Sequence, residues 1–116
     1  MTVYIDDMHQ EEMGRLGRMK MSHMIADTRA ELMWMARQIG MRPGWIQRKD
    51  SAHEHFDVAK GKREQAIALG AVPITLRECA MMCRRRVVTG ELGKPEDVDA
   101  WFTAHMAKQR AEAVDN

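Results

Sequence analysis

The segment HEHFD, residues 53–57, carries side-chain types that could do chemistry. Its two histidines stand one residue apart, and an aspartate follows the second by two positions. Side chains of an extended segment alternate between two faces, so His55 and Asp57 would share one face while Phe56 packs on the other. Imidazole and carboxylate groups bind divalent metal ions and act as acids and bases. A metal site, an acid–base pair and a polar strand edge are therefore the three interpretations of this segment.

Two other segments supply residues of the same types. Asp6 and Asp7 end the stretch TVYIDD, which has the β-branched and aromatic composition of a strand, and His23 and Asp27 precede a predicted helix. Ligands of open α/β sheets bind beyond the carboxyl ends of the strands, where we expect the three segments to converge. The predicted catalytic set consists of Asp6, His23, His55 and Asp57.

A divalent metal ion is the cofactor that such a set would hold. Asp6, His55 and Asp57 are the predicted ligands, with Asp7 and Asp27 orienting them. A bound divalent ion activates water, which favours metal-assisted hydrolysis. The alternative is a group of surface polar residues without a shared purpose, because the spacing matches no strong zinc or metalloprotease pattern. In particular, Asp27 is typical of a helix N-cap.

Cationic and aromatic residues add candidates for ligand binding. Lys62 and Arg63 begin a helix soon after Asp57, where they oppose the helix dipole, so we expect them to hold a phosphate beside the acids. Trp45, next to a Gly-Pro turn, is a candidate pocket wall. The run of arginines at 84–86 cannot share one helix face, so most of it is expected to be solvated.

The elements that would position these residues alternate along the chain. Strands are predicted at 2–6, 55–58 and 71–75, with a shorter one at 45–47, and helices at 27–40, 59–70, 76–90 and from 91 onward. Residues 8–22 read as a polar, glycine-punctuated loop. Thr28 with Glu31 forms a capping box, and Thr75 can cap the third helix. This order favours an α/β domain in two or three layers, with a short, mostly parallel sheet and a C-terminal helix.

Length and composition limit the function classes. The 116 residues suffice for one domain, with an α/β core at 1–90 and an amphipathic helix at 91–116 that packs on the core or on a partner. A net charge of +1 gives no broad attraction to nucleic acid or anionic membranes. No apolar run is long enough to span a bilayer and the N-terminus is acidic, so we expect a cytoplasmic protein without a membrane partner.

Sulfur-containing residues are open to two interpretations each. Twelve methionines could fill irregular gaps in the core, the interpretation that we favour, or form a methionine-rich interface. Cys79 and Cys83 stand four residues apart in a predicted helix, which fits reduced thiols on one face. A metal site at this pair would need two more ligands from elsewhere.

Several of these motifs together resemble a known family. VYIDDM, SHMIADT with AELMWMARQIG, HFDV and AIALGAVPIT resemble a small group of bacterial and phage proteins that share a domain of unknown function, over roughly residues 1–88. The resemblance implies that its recurring pattern falls on Tyr4, Asp6, Asp7, His23, Asp27, His55, Asp57, Lys62, Arg63 and the Gly70-Ala71 turn. Where this chain has Phe56, the family usually has tyrosine. Relatives joined to phosphohydrolase domains of the HD type point toward phosphate-ester or nucleotide substrates.

Two functions from different classes remain. The first is a metal-dependent hydrolase acting on a phosphate ester or nucleotide. The second is a non-catalytic phage or bacterial accessory module that binds nucleic acid or protein through basic helices. A homodimer is compatible with either function.

Overall fold

Five strands and four α-helices form the described part of the chain, residues 2–115 of the computed structural model. The strands are β1 (Val3–Ile5), β2 (Arg15–Leu16), β3 (Met19–Ala26), β4 (Phe56–Ala59) and β5 (Val72–Pro73). The helices are α1 (Arg29–Gln38), α2 (Lys60–Ala68), α3 (Leu76–Thr89) and α4 (Pro95–Asp115). Short 3-10 helices lie at Met8–Gln10, Glu12–Gly14 and Pro43–Trp45. The predicted α/β class is confirmed.

The sheet is mixed, with β3 at its centre. β3 pairs antiparallel with β1, β2 and β4, and among the described strands only β1 and β5 run parallel. The prediction of a mostly parallel sheet is therefore wrong. The prediction failed because residues 8–22 were interpreted as a loop, although they contain β2 and the first half of β3. The chain turns back after β1 without a crossover helix, and such a return produces antiparallel pairing.

Helices cover both faces of the sheet, so the domain has three layers. On one face, Ile5, Met24 and Phe56 pack against α1 and α2. On the other face, Tyr4 and Ile25 pack against α3 and the start of α4. Alternation along β1 and β3 separates the two sets, as expected for strands buried on both sides.

Local capping fixes where two helices begin, as predicted. The Thr28 side chain accepts a hydrogen bond from the Glu31 backbone N–H at the start of α1. Thr75 and Glu78 form a complete capping box at the start of α3. α3 ends at Gly90, whose φ of 87° lies in the left-handed region that favours glycine. These contacts set the position of α3 against the sheet, which matters for the site below.

The C-terminal helix α4 attaches to the domain through its first half. Val98 is fully buried and Phe102 packs against the same cluster, next to α3. An ion pair of 2.5 Å between Arg85 and Asp97 joins the two helices. Among residues 2–115, no helix combines the length and the apolar composition that crossing a membrane requires.

Methionine fills much of the core, in agreement with the preferred interpretation. Of the eleven methionines within residues 2–115, six have buried side chains, namely Met8, Met24, Met35, Met41, Met81 and Met82. Met13 and Met19 are exposed, and they lie in and beside the β2–β3 hairpin. The unbranched thioether suits the irregular space between a small twisted sheet and its helices.

Candidate metal centre

Strand pairing brings the three predicted segments together at His23. On one side, the register of β3 and β4 places His23 opposite Asp57. On the other side, the backbone N–H of Asp6, which directly follows β1, donates to the His23 carbonyl over 3.0 Å. His23, Ile25 and Tyr4 belong to the face of the sheet that α3 covers. The three segments therefore meet, but not at the carboxyl ends of the strands as predicted: only Asp6 follows a strand, whereas His23 lies within β3 and His55 directly precedes β4, a consequence of the antiparallel pairing of β3 with both neighbours.

Asp6 is a fully buried carboxylate whose hydrogen bonds hold His23. Its Oδ2 accepts from His23 Nδ1 over 2.8 Å, and its Oδ1 accepts from the backbone N–H groups of His23 and Met8 over 2.9 and 3.1 Å. Burial alone would raise the pKa of Asp6, but these bonds lower it overall. Asp6 is therefore ionised at neutral pH and acts as a hydrogen-bond acceptor.

The ring of His23 is consequently oriented by its Nδ1. The hydrogen bond to Asp6 raises the pKa of His23, against the opposing effect of burial. In the neutral ring the proton lies on Nδ1, because a carboxylate can only accept. This arrangement leaves the lone pair of Nε2 unused, and it is the pattern by which carboxylates prepare metal-binding histidines.

His55 is prepared in the same way by a backbone group. Its Nδ1 lies 2.8 Å from the carbonyl oxygen of His53, which can only accept, so the proton of the neutral ring is again on Nδ1. The rings of His23 and His55 meet edge to face with centroids 5.0 Å apart. In its neutral form each ring therefore has its Nε2 lone pair unused, and the two rings lie side by side.

Asp57 completes a set of three metal-ligand side chains. Ligand atoms of His23, His55 and Asp57 all lie within 4.8 Å of one another. His55 Nε2 and Asp57 Oδ1 are 3.3 Å apart. Two ligand atoms each about 2.0–2.1 Å from a tetrahedral ion lie roughly 3.3 Å from each other, so this pair already has a suitable separation. The side chains of His23, His55 and Asp57 are 29%, 17% and 42% exposed, which leaves the set accessible.

A cavity of about 250 Å³ opens beside the two histidines. Its polar wall consists of His23, His53, His55 and Arg48. The rest of the lining is largely apolar and consists of Ile25 from β3 and of Leu76, Cys79, Ala80 and Cys83 from α3. A cavity with an apolar wall and a few convergent polar groups is typical of a site for a small ligand.

The two cysteines belong to this cavity, which the sequence interpretation did not predict. Both are reduced and buried, and they lie one helical turn apart on α3. The interaction between the two thiols, together with burial, raises the pKa of Cys79; the same interaction, opposed by burial, lowers the pKa of Cys83, and the charge of Arg86 lowers it further. Cys79 additionally groups with Asp6 and His23 within 4.8 Å. Their spacing of four residues indicated a shared helix face but not what that face covers.

Asp7 and Asp27 take structural positions. Asp7 Oδ1 accepts from the backbone N–H of Leu76 over 2.7 Å and so fixes the N-terminus of α3. Asp27 Oδ2 accepts from the backbone N–H of Thr2 over 2.9 Å. Asp7 therefore helps to position the helix that carries the cysteines, whereas Asp27 does not line the cavity.

The predicted phosphate-binding cations and Trp45 also lie outside the cavity lining. Lys62 Nζ donates to the carbonyl of Ile39 over 2.7 Å, just beyond the C-terminus of α1. Arg63 Nε donates to the carbonyl of Asp6 over 2.8 Å, so it supports the backbone of the buried carboxylate. Trp45 is 49% exposed, with the Arg42 guanidinium over its ring. These two cations satisfy backbone carbonyls instead of facing a ligand.

Arg48 and His53 are cavity residues that had no assigned role. An antiparallel bridge between Gln47 and His55 closes the loop of residues 48–54, and this loop delivers both side chains. Burial, followed by the charges of Arg48 and Arg86, lowers the pKa of His53. The position of His53 two residues before His55 was a signal for its inclusion, but nothing in the sequence indicated Arg48.

Comparison with known protein families gives a match over most of the chain. The family model described as "Protein of unknown function (DUF4031)" matches residues 3–86. No curated protein and no solved structure matches the chain. The matched region contains all five strands, α1, α2 and most of α3, and with them every residue of the site described above. The chain therefore belongs to the DUF4031 family, a family of unknown function.

Proposed function

We propose that the protein is a metal-dependent hydrolase that acts on a small phosphate ester or nucleotide. The observation that carries the proposal is the convergence of His23, His55 and Asp57, with the Nδ1 of each histidine engaged by an acceptor so that Nε2 is the nitrogen left for a metal ion. Two imidazoles and one carboxylate are a common ligand set of divalent ions in hydrolytic sites. A divalent ion held there would supply an activated water and neutralise charge on a phosphate oxygen.

The other groups of the site have supporting roles in this proposal. Asp6 orients His23 and increases its basicity, as outer carboxylates do in metal sites. Asp57 is the most exposed of the three proposed ligands, so an ion held there would remain accessible from solvent. The apolar wall formed by α3 excludes water from one side of the cavity. The reduced cysteines in that wall would suit a reducing compartment such as the cytoplasm.

Calorimetric titration of the full chain with Zn²⁺ or Mn²⁺ tests the metal site directly. We expect one ion per chain, with binding lost in His55→Ala and in Asp57→Ala because each removes a ligand. His105→Ala is the matched control, since His105 stacks on Trp101 in α4 and lies outside the cavity lining. This variant should bind metal like the wild type.

Hydrolysis of p-nitrophenyl phosphate, with and without the bound ion, tests the reaction. We expect turnover that requires the ion and disappears in His55→Ala but not in His105→Ala. The proposal fails if neither ion binds, or if His55→Ala binds the ion as tightly as the wild type. Metal binding without turnover of any phosphate ester would support the proposed metal site and contradict the proposed hydrolysis.

The alternative, a nucleic-acid-binding accessory module, receives less support from the cations. Arg85 pairs with Asp97, and Arg86 donates to the carbonyls of Ala26 and Ala52 over 2.8 and 2.9 Å. Of the run at 84–86, these two arginines are therefore engaged in packing. Nucleic-acid binding would weaken steeply as the salt concentration rises, and this dependence would distinguish the two functions.

A further inference from the structure

The loop of residues 48–54 forms one wall of the cavity and is anchored from both sides. From α1, Arg29 pairs with Asp50 and with Glu54, the latter at 2.8 Å. From α3, Arg86 Nε donates to the carbonyl of Ala52 over 2.9 Å. Anchoring of this kind gives a surface loop a defined geometry, so the side chains that it presents to the cavity are held in place.

Arg48 occupies a strained position at the start of this loop. Its φ of 55° lies in the left-handed region, which is costly for a residue with a Cβ and natural for glycine. Within residues 2–115, the guanidinium of Arg48 makes no hydrogen bond or ion pair, and it lines the cavity beside His53 and His55. Arg48 lines the cavity while remaining exposed to solvent, and backbone strain at an accessible, unpaired cation favours a role in ligand binding over a role in stability.

Arg86 adds a second positive charge behind the same wall. Its Nε and Nη1 bond backbone carbonyls, whereas Nη2 is buried and has no partner within residues 2–115. Ala52, whose carbonyl accepts from Arg86, directly precedes His53, so the Arg86 guanidinium lies against the loop that carries Arg48 and His53. A buried guanidinium nitrogen without a partner increases the positive potential of the adjacent cavity.

We propose that Arg48, reinforced by Arg86, forms an anion subsite that recognises the phosphate group of the substrate. The subsite lies next to His23 and His55, so a phosphate held there is beside the ligands of the proposed metal. Two guanidinium charges favour a phosphate dianion over a carboxylate, which carries a single charge. The apolar residues Ile25, Leu76 and Ala80 line the same cavity and would contact the uncharged part of a small ester. The subsite deepens the proposed function and rests on it for the reaction, but its binding can be measured without metal.

Titration of the metal-free full chain with inorganic phosphate, followed by calorimetry, tests the subsite. Arg48→Gln removes a charge-assisted hydrogen bond and should weaken phosphate binding about tenfold or more. The matched control is Arg42→Gln, which removes one charge from the neighbouring surface without touching the cavity lining. It should change the affinity less than twofold. Acetate in place of phosphate should bind more weakly to the wild type.

Arg48→Gly separates ligand binding from structural support. Glycine adopts the left-handed conformation without strain, so this variant should melt at a higher temperature than the wild type while binding phosphate as weakly as Arg48→Gln. The proposal is overturned if the wild type does not bind phosphate, or if Arg48→Gln binds it as the wild type does. Zn²⁺ titration of the same variants distinguishes the anion subsite from the metal site. Arg48→Gln should lose phosphate binding and keep Zn²⁺ binding, because Arg48 is not a proposed metal ligand.

Discussion

Replacing Asp6 by asparagine tests how His23 is prepared for metal binding. Asp6 Oδ1 accepts from two backbone N–H groups, those of Met8 and His23, whereas Oδ2 accepts from the Nδ1 of His23. The asparagine should keep its side-chain oxygen toward the two backbone N–H groups, because the flipped amide would point its NH₂ group at both of these donors. Its NH₂ group then faces Nδ1 and requires Nδ1 to accept. The proton of His23 moves to Nε2, and the proposed ligand atom is blocked.

The expected change in the free energy of unfolding is worked from the contact with His23 Nδ1, where the donor and acceptor roles are exchanged. A hydrogen bond to a charged group contributes about 1.5–3 kcal/mol and a neutral one about 0.5–1.5 kcal/mol. The free energy of unfolding of Asp6→Asn should therefore fall by about 1–2 kcal/mol, which leaves the domain folded. Loss of an outer carboxylate lowers metal affinity by about 10–100-fold, and the wrong tautomer places the effect at the upper end of that range.

Two measurements check this prediction. Calorimetry with Zn²⁺ gives the affinity, and the ¹⁵N chemical shifts of the ring give the tautomer of His23 whether or not metal binds. Asp7→Asn is the matched control, because Asp7 uses one oxygen to accept from Leu76 and asparagine can do the same. The reasoning is refuted if Asp6→Asn retains the proton on Nδ1, or if it binds Zn²⁺ within twofold of the wild type.

Two further predictions follow from the ionisable groups of the site. Folding lowers the pKa of Asp6, so Asp6 stabilises the fold at pH values above its ordinary pKa of 3.8, and this contribution is lost as the pH falls through the lower pKa of the folded state. Folding raises the pKa of His23, so His23 stabilises the fold at pH values below its ordinary pKa of 6.5, and this contribution is lost as the pH rises through the higher pKa of the folded state. Denaturant unfolding of wild type and Asp6→Asn should therefore differ most between about pH 4 and 6.5, and a constant difference from pH 3 to 9 would contradict the assignment. Because the pKa of Cys83 is lowered and that of Cys79 is raised, a small alkylating reagent should modify Cys83 first, as measured by mass spectrometry of peptides. Equal labelling rates would contradict this order.

The helices were predictable from sequence because local contacts determine where they begin. Thr28 and Thr75 each accept a hydrogen bond from the N–H three residues later, and this pattern can be read without knowledge of the fold. β3 lacked such a signal. Its first residues are Met19, Lys20 and Met21, which have little intrinsic preference for strands, and pairing with neighbours on both edges is what stabilises them. That pairing is a property of the whole sheet.

The site was predictable where it depended on strand alternation. His55 and Asp57 share a face because they lie two residues apart on an extended segment, and this inference needs no partner strand. Phe56 lies on the opposite face, fully buried against the helices, so a tyrosine at this position in relatives would direct its hydroxyl away from the histidines. The proximity of His55 and Asp57 to His23 could not be predicted in this way, because it depends on the register in which β3 and β4 pair.

Contributions from helices and loops could not be predicted in the same way. Cys79 reaches the cavity because α3 packs over the sheet at one particular angle, and Arg48 because a closed loop returns it to the sheet edge. Lys62 shows the reverse case. Its charge and position suggested a phosphate ligand, yet the fold places it where a carbonyl beyond the end of α1 needs a donor. A cation's role depends on which acceptors the tertiary structure leaves unsatisfied.

Anomalous scattering from crystals of the full chain grown with Zn²⁺ tests the central claim most directly. The claim predicts one ordered ion bound by the Nε2 atoms of His23 and His55 and by the Asp57 carboxylate, at about 2.0–2.2 Å from each ligand atom. An anomalous peak elsewhere in the molecule, or none beside these three side chains at saturating Zn²⁺, would contradict it.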